Sequence, residues 1–130
     1  MKIFISHSER DCEAATKLAS ALVDLGLEVW RTGAMVLPGD NYADKVAEAL
    51  ESSDAMVVLI SPEAMASPWV KHEIEFAIGS KSYSGRLIPI ILRPTKDMPW
   101  ILKSLQLLRA SAGRIASVAP QIANHIKQTV

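Results

Sequence analysis

Residues 55–60 read Ala-Met-Val-Val-Leu-Ile, six apolar side chains in succession. A strand with one wet face alternates apolar and polar residues, because successive side chains point to opposite faces. An unbroken apolar run instead fits a central strand of a parallel sheet, covered on both sides. Two covered faces require helices above and below, so the rest of the chain must supply them.

It does so in a regular rhythm. Lys2-Ile3-Phe4-Ile5-Ser6 reads as a short strand, and Ser8 with Asp11 fits a capping box. Ala14, Ala15, Leu18, Ala21, Leu22 and Leu25 then recur at helical spacing, with Gly26 as the stop. Leu27 to Trp30 is a second strand, and 31–39 is a loop ending in Leu37-Pro38-Gly39. Asp40 or Asn41 begins a helix with Ala43, Val46, Ala47 and Leu50 on one face. After the apolar strand comes the turn Ser61-Pro62. Ser67 and Pro68 suit the N-cap and first position of a helix reaching about Lys81. Ser82 to Gly85 is a break, and Arg86 to Leu92 a fourth strand, weakened by Pro89. Lys96 to Trp100 is loop, Leu105 to Leu108 a short fifth strand, and Ala119, Ile122, Ala123 and Ile126 mark a last helix.

Strand followed by helix, repeated, predicts one α/β domain over residues 1–130 with a mostly parallel sheet. Right-handed crossovers put helices on both faces. Ligands of such sheets bind beyond the carboxyl ends of the strands, where the strand order reverses. If the first and third strands flank that point, Ser6-His7-Ser8 and the stretch from Ser61 to Glu73 share one crevice. The residue pattern alone leaves strand order open.

Composition excludes several functions. The chain has 14 Lys and Arg against 14 Asp and Glu. That balance offers no electrostatic footprint for nucleic acid or an anionic membrane. No apolar run approaches a membrane span. Cys12 is the one cysteine, so no intrachain disulfide forms. With no signal-peptide pattern, this predicts a reducing, cytoplasmic setting.

The stretch Trp69-Val70-Lys71-His72-Glu73 carries the most chemistry. Residues four apart on a helix share a side, so an aromatic plate stands beside a carboxylate. On a helical wheel Val70, Ile74, Ala77 and Ile78 form the core stripe. Glu73 falls at its edge, between Trp69 and Phe76. Aromatic neighbours would partly desolvate it, which favours the protonated form. Spacing leaves two readings open: a held carboxylate with a stacking wall, or a boundary glutamate beside an amphipathic tryptophan.

Around it, His7 either lines the crevice or is a satisfied loop histidine. Ser6 and Ser8 suit ligand hydroxyls or a phosphate, although Ser8 also serves as a cap. Arg31 opens the long loop and could meet a phosphate; Tyr42 follows that loop and could touch a ligand or pack. Trp30 reads as core. No G-x-G-x-x-G, G-x-x-x-x-G-K-[ST] or G-x-S-x-G occurs. His7, His72 and His125 make no metal-ligand spacing with Cys12, so no metal is expected. A phosphoacceptor receiver needs acids after the first strand and an aspartate ending the third. This chain has Ser6-His7-Ser8 and Ser61 there.

Six blocks, in order, resemble a TIR (Toll/interleukin-1 receptor) domain of the bacterial kind. They are Ile3-Phe4-Ile5-Ser6-His7-Ser8, Val29-Trp30, Leu37-Pro38-Gly39-Asp40, Val57-Val58-Leu59-Ile60-Ser61-Pro62, Trp69-Val70-Lys71-His72-Glu73 and Ile88-Pro89-Ile90. The resemblance implies a flavodoxin-like, doubly wound sheet of five parallel strands in the order 2-1-3-4-5. The loop after strand two corresponds to the family's BB loop, which often opens aromatic-x-Asp where this chain has Trp30-Arg31-Thr32.

The resemblance also implies an activity. Many such domains cleave NAD at the nicotinamide–ribose bond, in bacterial antiphage defence or immune signalling. Their essential glutamate maps onto Glu73, the stacking aromatic onto Trp69, and the end of the first-strand motif onto His7. Ser6, Arg31 and Tyr42 complete the expected substrate contacts. NAD is then substrate, with no separate cofactor. Self-association, including filaments, and an activating sensor domain or protein are the expected partners. A 130-residue unit of this kind stands alone or forms the N-terminal part of a longer protein. Two other readings remain: a non-enzymatic module that recruits other TIR domains through the BB loop, and a nucleoside-processing transferase of similar fold.

Overall fold

In the computed structural model, the described residues are 2–31, 42–79, 86–96, 98–103, 105 and 107–128. The loop expected over 31–39 lies outside them beyond Arg31, and so does the break at Ser82 to Gly85. Five strands, β1 (Lys2–Ser6), β2 (Glu28–Arg31), β3 (Ala55–Ile60), β4 (Leu87–Ile91) and β5 (Leu108–Arg109), form one sheet in the order β2-β1-β3-β4-β5. Every neighbouring pair is parallel. This is the expected doubly wound order, and β1 and β3 flank its point of reversal.

The apolar run occupies β3, and all six of its side chains are at 0% exposure. They divide by parity between two cores. On one face Ile3, Ile5, Val57 and Leu59 pack beneath α1 (Cys12–Asp24) and α6 (Ala119–Gln128). A 3₁₀ segment, Ala112–Val118, leads into α6. On the other face Phe4, Met56, Val58 and Ile60 meet α2 (Tyr42–Ser52) and α4 (Pro68–Gly79). Trp30 belongs to this second core, its ring stacked on Phe4 at 4.9 Å between centroids. Among the described residues no helix is long and apolar enough to cross a membrane.

Several boundaries differ from expectation. α1 ends in a paired motif: Gly26 N–H donates to Val23 O at 2.9 Å and Leu27 N–H to Leu22 O at 3.2 Å. Leu27 thus completes the helix end, and β2 starts one residue later. Gly26 takes φ +89°, a conformation side chains resist. The turn at Ser61-Pro62 opens a short helix of its own, α3 (Pro62–Ala66). Ser61 caps it by accepting from Ala64 N–H at 3.1 Å. Trp100, expected to end the loop from Lys96, instead opens the one-turn helix α5 (Trp100–Lys103). The fifth strand, expected over Leu105–Leu108, is the two-residue β5. It pairs with Ile90 and Ile91 only, so at Pro89 the described pairing of β4 is with β3 alone.

Candidate active site

Ser6 ends β1 with the parity of Phe4, so its side chain turns to the α4 face. There its hydroxyl donates to Glu73 Oε1 at 2.7 Å. Both residues are at 0% exposure. The expected boundary glutamate is therefore a core residue. Ile78, expected in the core stripe, is 41% exposed instead. The wheel was offset because Glu73, with a donor waiting at the end of β1, takes a place beside Val70, Ile74 and Ala77. Trp69 stands one turn before Glu73, 41% exposed, and Phe76 one turn after, 36% exposed. By helical spacing both rings neighbour Glu73 along α4.

α4 gets its start from Ser67, which ends α3 by donating its N–H to Ala64 O at 3.1 Å. The same residue accepts from Lys71 N–H at 3.1 Å, and Pro68 fits the first helical position. One residue separates the two helices.

His7 follows Ser6 directly and is 4% exposed. Its Nδ1 lies 2.7 Å from Ser8 O, so Nδ1 carries the proton and donates. Nε2 is then an acceptor, and it has no hydrogen-bond partner among the described residues. Burial pushes the imidazole pKa below 6.5; the Ser8 carbonyl opposes this, Arg31 adds to it, and Asp11 opposes it. The ring is held neutral.

Arg31 is not brought to Glu73. It pairs with Ile5 across the sheet and its Nη1 donates to Thr16 Oγ1 on α1 at 2.6 Å, on the opposite face from α4. The side chain of Tyr42 lies outside the described ones. Among the described residues no cluster of His, Cys, Asp or Glu is placed to hold a metal ion.

Sequence reasoning missed a second group at the same edge of the sheet. Ser8 does not cap the helix through its side chain. Its hydroxyl donates to Asp11 Oδ2 at 2.7 Å, and Ser61 donates to the same oxygen at 2.5 Å. Arg93, just past β4, donates to Asp11 Oδ1 at 2.6 Å. It also reaches Glu63: Nη1 donates to Oε1 at 3.0 Å, while Nη2 is 2.9 Å from Oε2, an ion pair not aligned as a hydrogen bond. Ser8-x-x-Asp11 is the visible signal, and it reads equally as a capping pattern. Nothing local marked Arg93.

Residues 3–121 match the family model of the TIR domain. The chain belongs to the TIR family. This TIR domain is 28% identical over 130 residues to the 2' cyclic ADP-D-ribose synthase AbTIR of Acinetobacter baumannii (strain 1295743). That match covers 95% of this chain and 48% of the relative. It is 30% identical over 96 residues to the 2' cyclic ADP-D-ribose synthase BtTIR of Bacteroides thetaiotaomicron, covering 72% of this chain and 33% of that one. The domain thus spans about half the length of these curated relatives, or less. Its fold matches the crystal structure of the TIR domain of the Toll-related receptor TRR-2 from Hydra magnipapillata. There the TM-score is 0.78 at 20% identity, over 96% of this chain and 97% of that one.

Proposed function

We propose that this TIR domain cleaves NAD at the nicotinamide–ribose bond, with Glu73 as the catalytic carboxylate. The observation that carries the reading is Glu73 itself: wholly buried, at the switch point of the sheet, and held by the Ser6 hydroxyl at 2.7 Å. A buried carboxylate without water around it acts strongly on any positive charge brought beside it. The substrate supplies that charge. As the C1′–N bond breaks, its electron pair goes to the pyridinium nitrogen and leaves neutral nicotinamide. The ribose becomes oxocarbenium-like, and Glu73 stabilises it. Water attack then gives ADP-ribose; attack by a hydroxyl or ring nitrogen at the adenosine end gives a cyclic product. The names of the two bacterial relatives support this class of reaction.

The neighbours have roles in the same reading. Ser6 orients Glu73. Trp69, with 41% of its surface open, stacks on a flat ring of the substrate. His7 presents Nε2 as an acceptor for a ribose hydroxyl or the carboxamide N–H. That atom is enclosed, so substrate reaches it only by displacing its cover. Arg31 and Tyr42 are outer contacts of this reading by their places at the two ends of the loop after β2 alone, and Arg31 would have to leave Thr16 to serve. We place the domain in the cytoplasm of a bacterial defence or signalling system, activated by self-association.

The test is incubation of concentrated protein with NAD while free nicotinamide is followed. Wild type is expected to release it, and Glu73→Gln to be slower by on the order of 10²–10³-fold. Equal release by the variant would remove Glu73 from the chemistry. No release by wild type, even under conditions that promote assembly, would leave the domain an interaction module.

A further inference from the structure

Asp11 is 6% exposed and its carboxylate accepts three hydrogen bonds. The donors come from three different turns at one edge of the sheet. Ser8 follows β1, Ser61 follows β3, and Arg93 follows β4. Ser61 is held from both sides: it donates to Asp11 and accepts from Ala64 N–H at the start of α3. Arg93 supplies the opposing charge; Glu63 from α3 accepts one further N–H from its Nη1 at 3.0 Å and faces its Nη2 as an ion pair. Arg10 adds a looser contact, its Nε 3.8 Å from Glu63 Oε1.

Two of those turns carry the acting pair. Ser6 stands two residues before Ser8. Glu73 is carried by the helix that follows α3, whose first residue Ser61 caps. None of the bonds to Asp11 comes from Ser6 or Glu73, yet they tie together the turns that follow β1 and β3, just past Ser6, the last residue of β1 paired with β3. Hydrogen bonds to an ionised group are short and directional, so such a knot sets distance as well as adhesion.

We propose that Asp11, charge-paired with Arg93, is a positioning residue that sets Glu73 against Ser6. The proposal rests on the reading of Glu73 as the catalytic carboxylate. Asparagine at position 11 keeps the volume and one acceptor oxygen, but turns an amide NH2 toward donors and removes the charge opposing Arg93. The arms then relax apart. A misplacement of about 1 Å at a reacting centre costs up to about 10²-fold in rate.

The experiment uses Asp11→Asn and Arg93→Gln, assayed well below their melting temperatures. Two readouts are taken: kcat and KM for NAD, and the 13C carboxylate resonance of Glu73 in ligand-free protein, assigned by its loss in Glu73→Gln. For Asp11→Asn, kcat is expected to fall by on the order of 10–100-fold with KM within about threefold. The Glu73 resonance moves, and Arg93→Gln follows in the same direction. An unmoved resonance with unchanged kcat, in protein whose melting temperature has dropped, overturns the proposal, because Asp11 is then merely structural. A moved resonance in a domain that does not cleave NAD sustains the positioning role and removes only the NAD reading. Should Asp11→Asn fail to fold, Ser61→Ala and Arg93→Gln carry the same two readouts.

Discussion

His7 shows how one residue couples burial to acidity. Its imidazole is 4% exposed and held neutral by desolvation, with a pKa below 6.5. The unfolded chain therefore takes up a proton near pH 6.5 that the folded chain refuses. The resulting stability is fully present above pH 6.5 and drains away as pH falls toward the folded value. Urea titrations from pH 7.5 down to 5 should show stability falling with acid in wild type. They should show a shallower fall in His7→Gln; parallel curves would mean that His7 titrates as in water. The residue scale was only half legible in the chain. Glu73 and Trp69 stood out by spacing, although their roles came only with the family resemblance, and Ser6 stood out by its place at a strand end. Asp11, Ser61 and Arg93 did not, because their bonds cross 50 and 82 positions of sequence. Local patterns carry no record of a partner that distant. The direction of Arg31 is hidden for a related reason: the parity of β2, invisible until its register with Ile5 is known, sends it to the α1 face.

At the scale of elements, the described strands and long helices were readable from period and punctuation. Short elements were not. α3 and α5 span five and four residues, too few for a period to show. β5 shrinks to two because only Ile90 and Ile91 offer it a partner among the described pairs. The best-marked boundary was the end of α1. Gly26 has φ +89°, and a Cβ built there meets nothing within 4 Å. Any loss in Gly26→Ala thus arises from backbone strain alone. It is expected to cost about 1–2 kcal/mol, read as a drop in melting temperature. Gly26→Asn should lose less, since asparagine tolerates this conformation better. Equal loss in the two variants would point to something other than backbone conformation.

The whole molecule is a sheet between two unequal cores. The one beneath α1 and α6 closes only when Ile122 and Ile126, both at 0% exposure, are in place. Each buried isoleucine contributes about 1.5–3 kcal/mol, and a domain of this kind is stable by about 5–15 kcal/mol in all. A chain ending at Pro120 should accordingly be largely unfolded at 37 °C or melt well below the full domain, as read by circular dichroism. Unchanged melting would show that α6 is dispensable. Strand order was the molecular property least visible in the residues and best supplied by family resemblance, since six ordered blocks carry topology that no single element does. That topology also governs when the site comes into being. Ser6 and Glu73 stand 67 positions apart, joined across a parallel β1–β3 pairing. Parallel pairing is a late and slow event, because a long loop must close before its contacts repay the closure. A nascent or refolding chain therefore lacks the Ser6–Glu73 pair through its earlier stages, and the pair arrives in one step with the centre of the sheet.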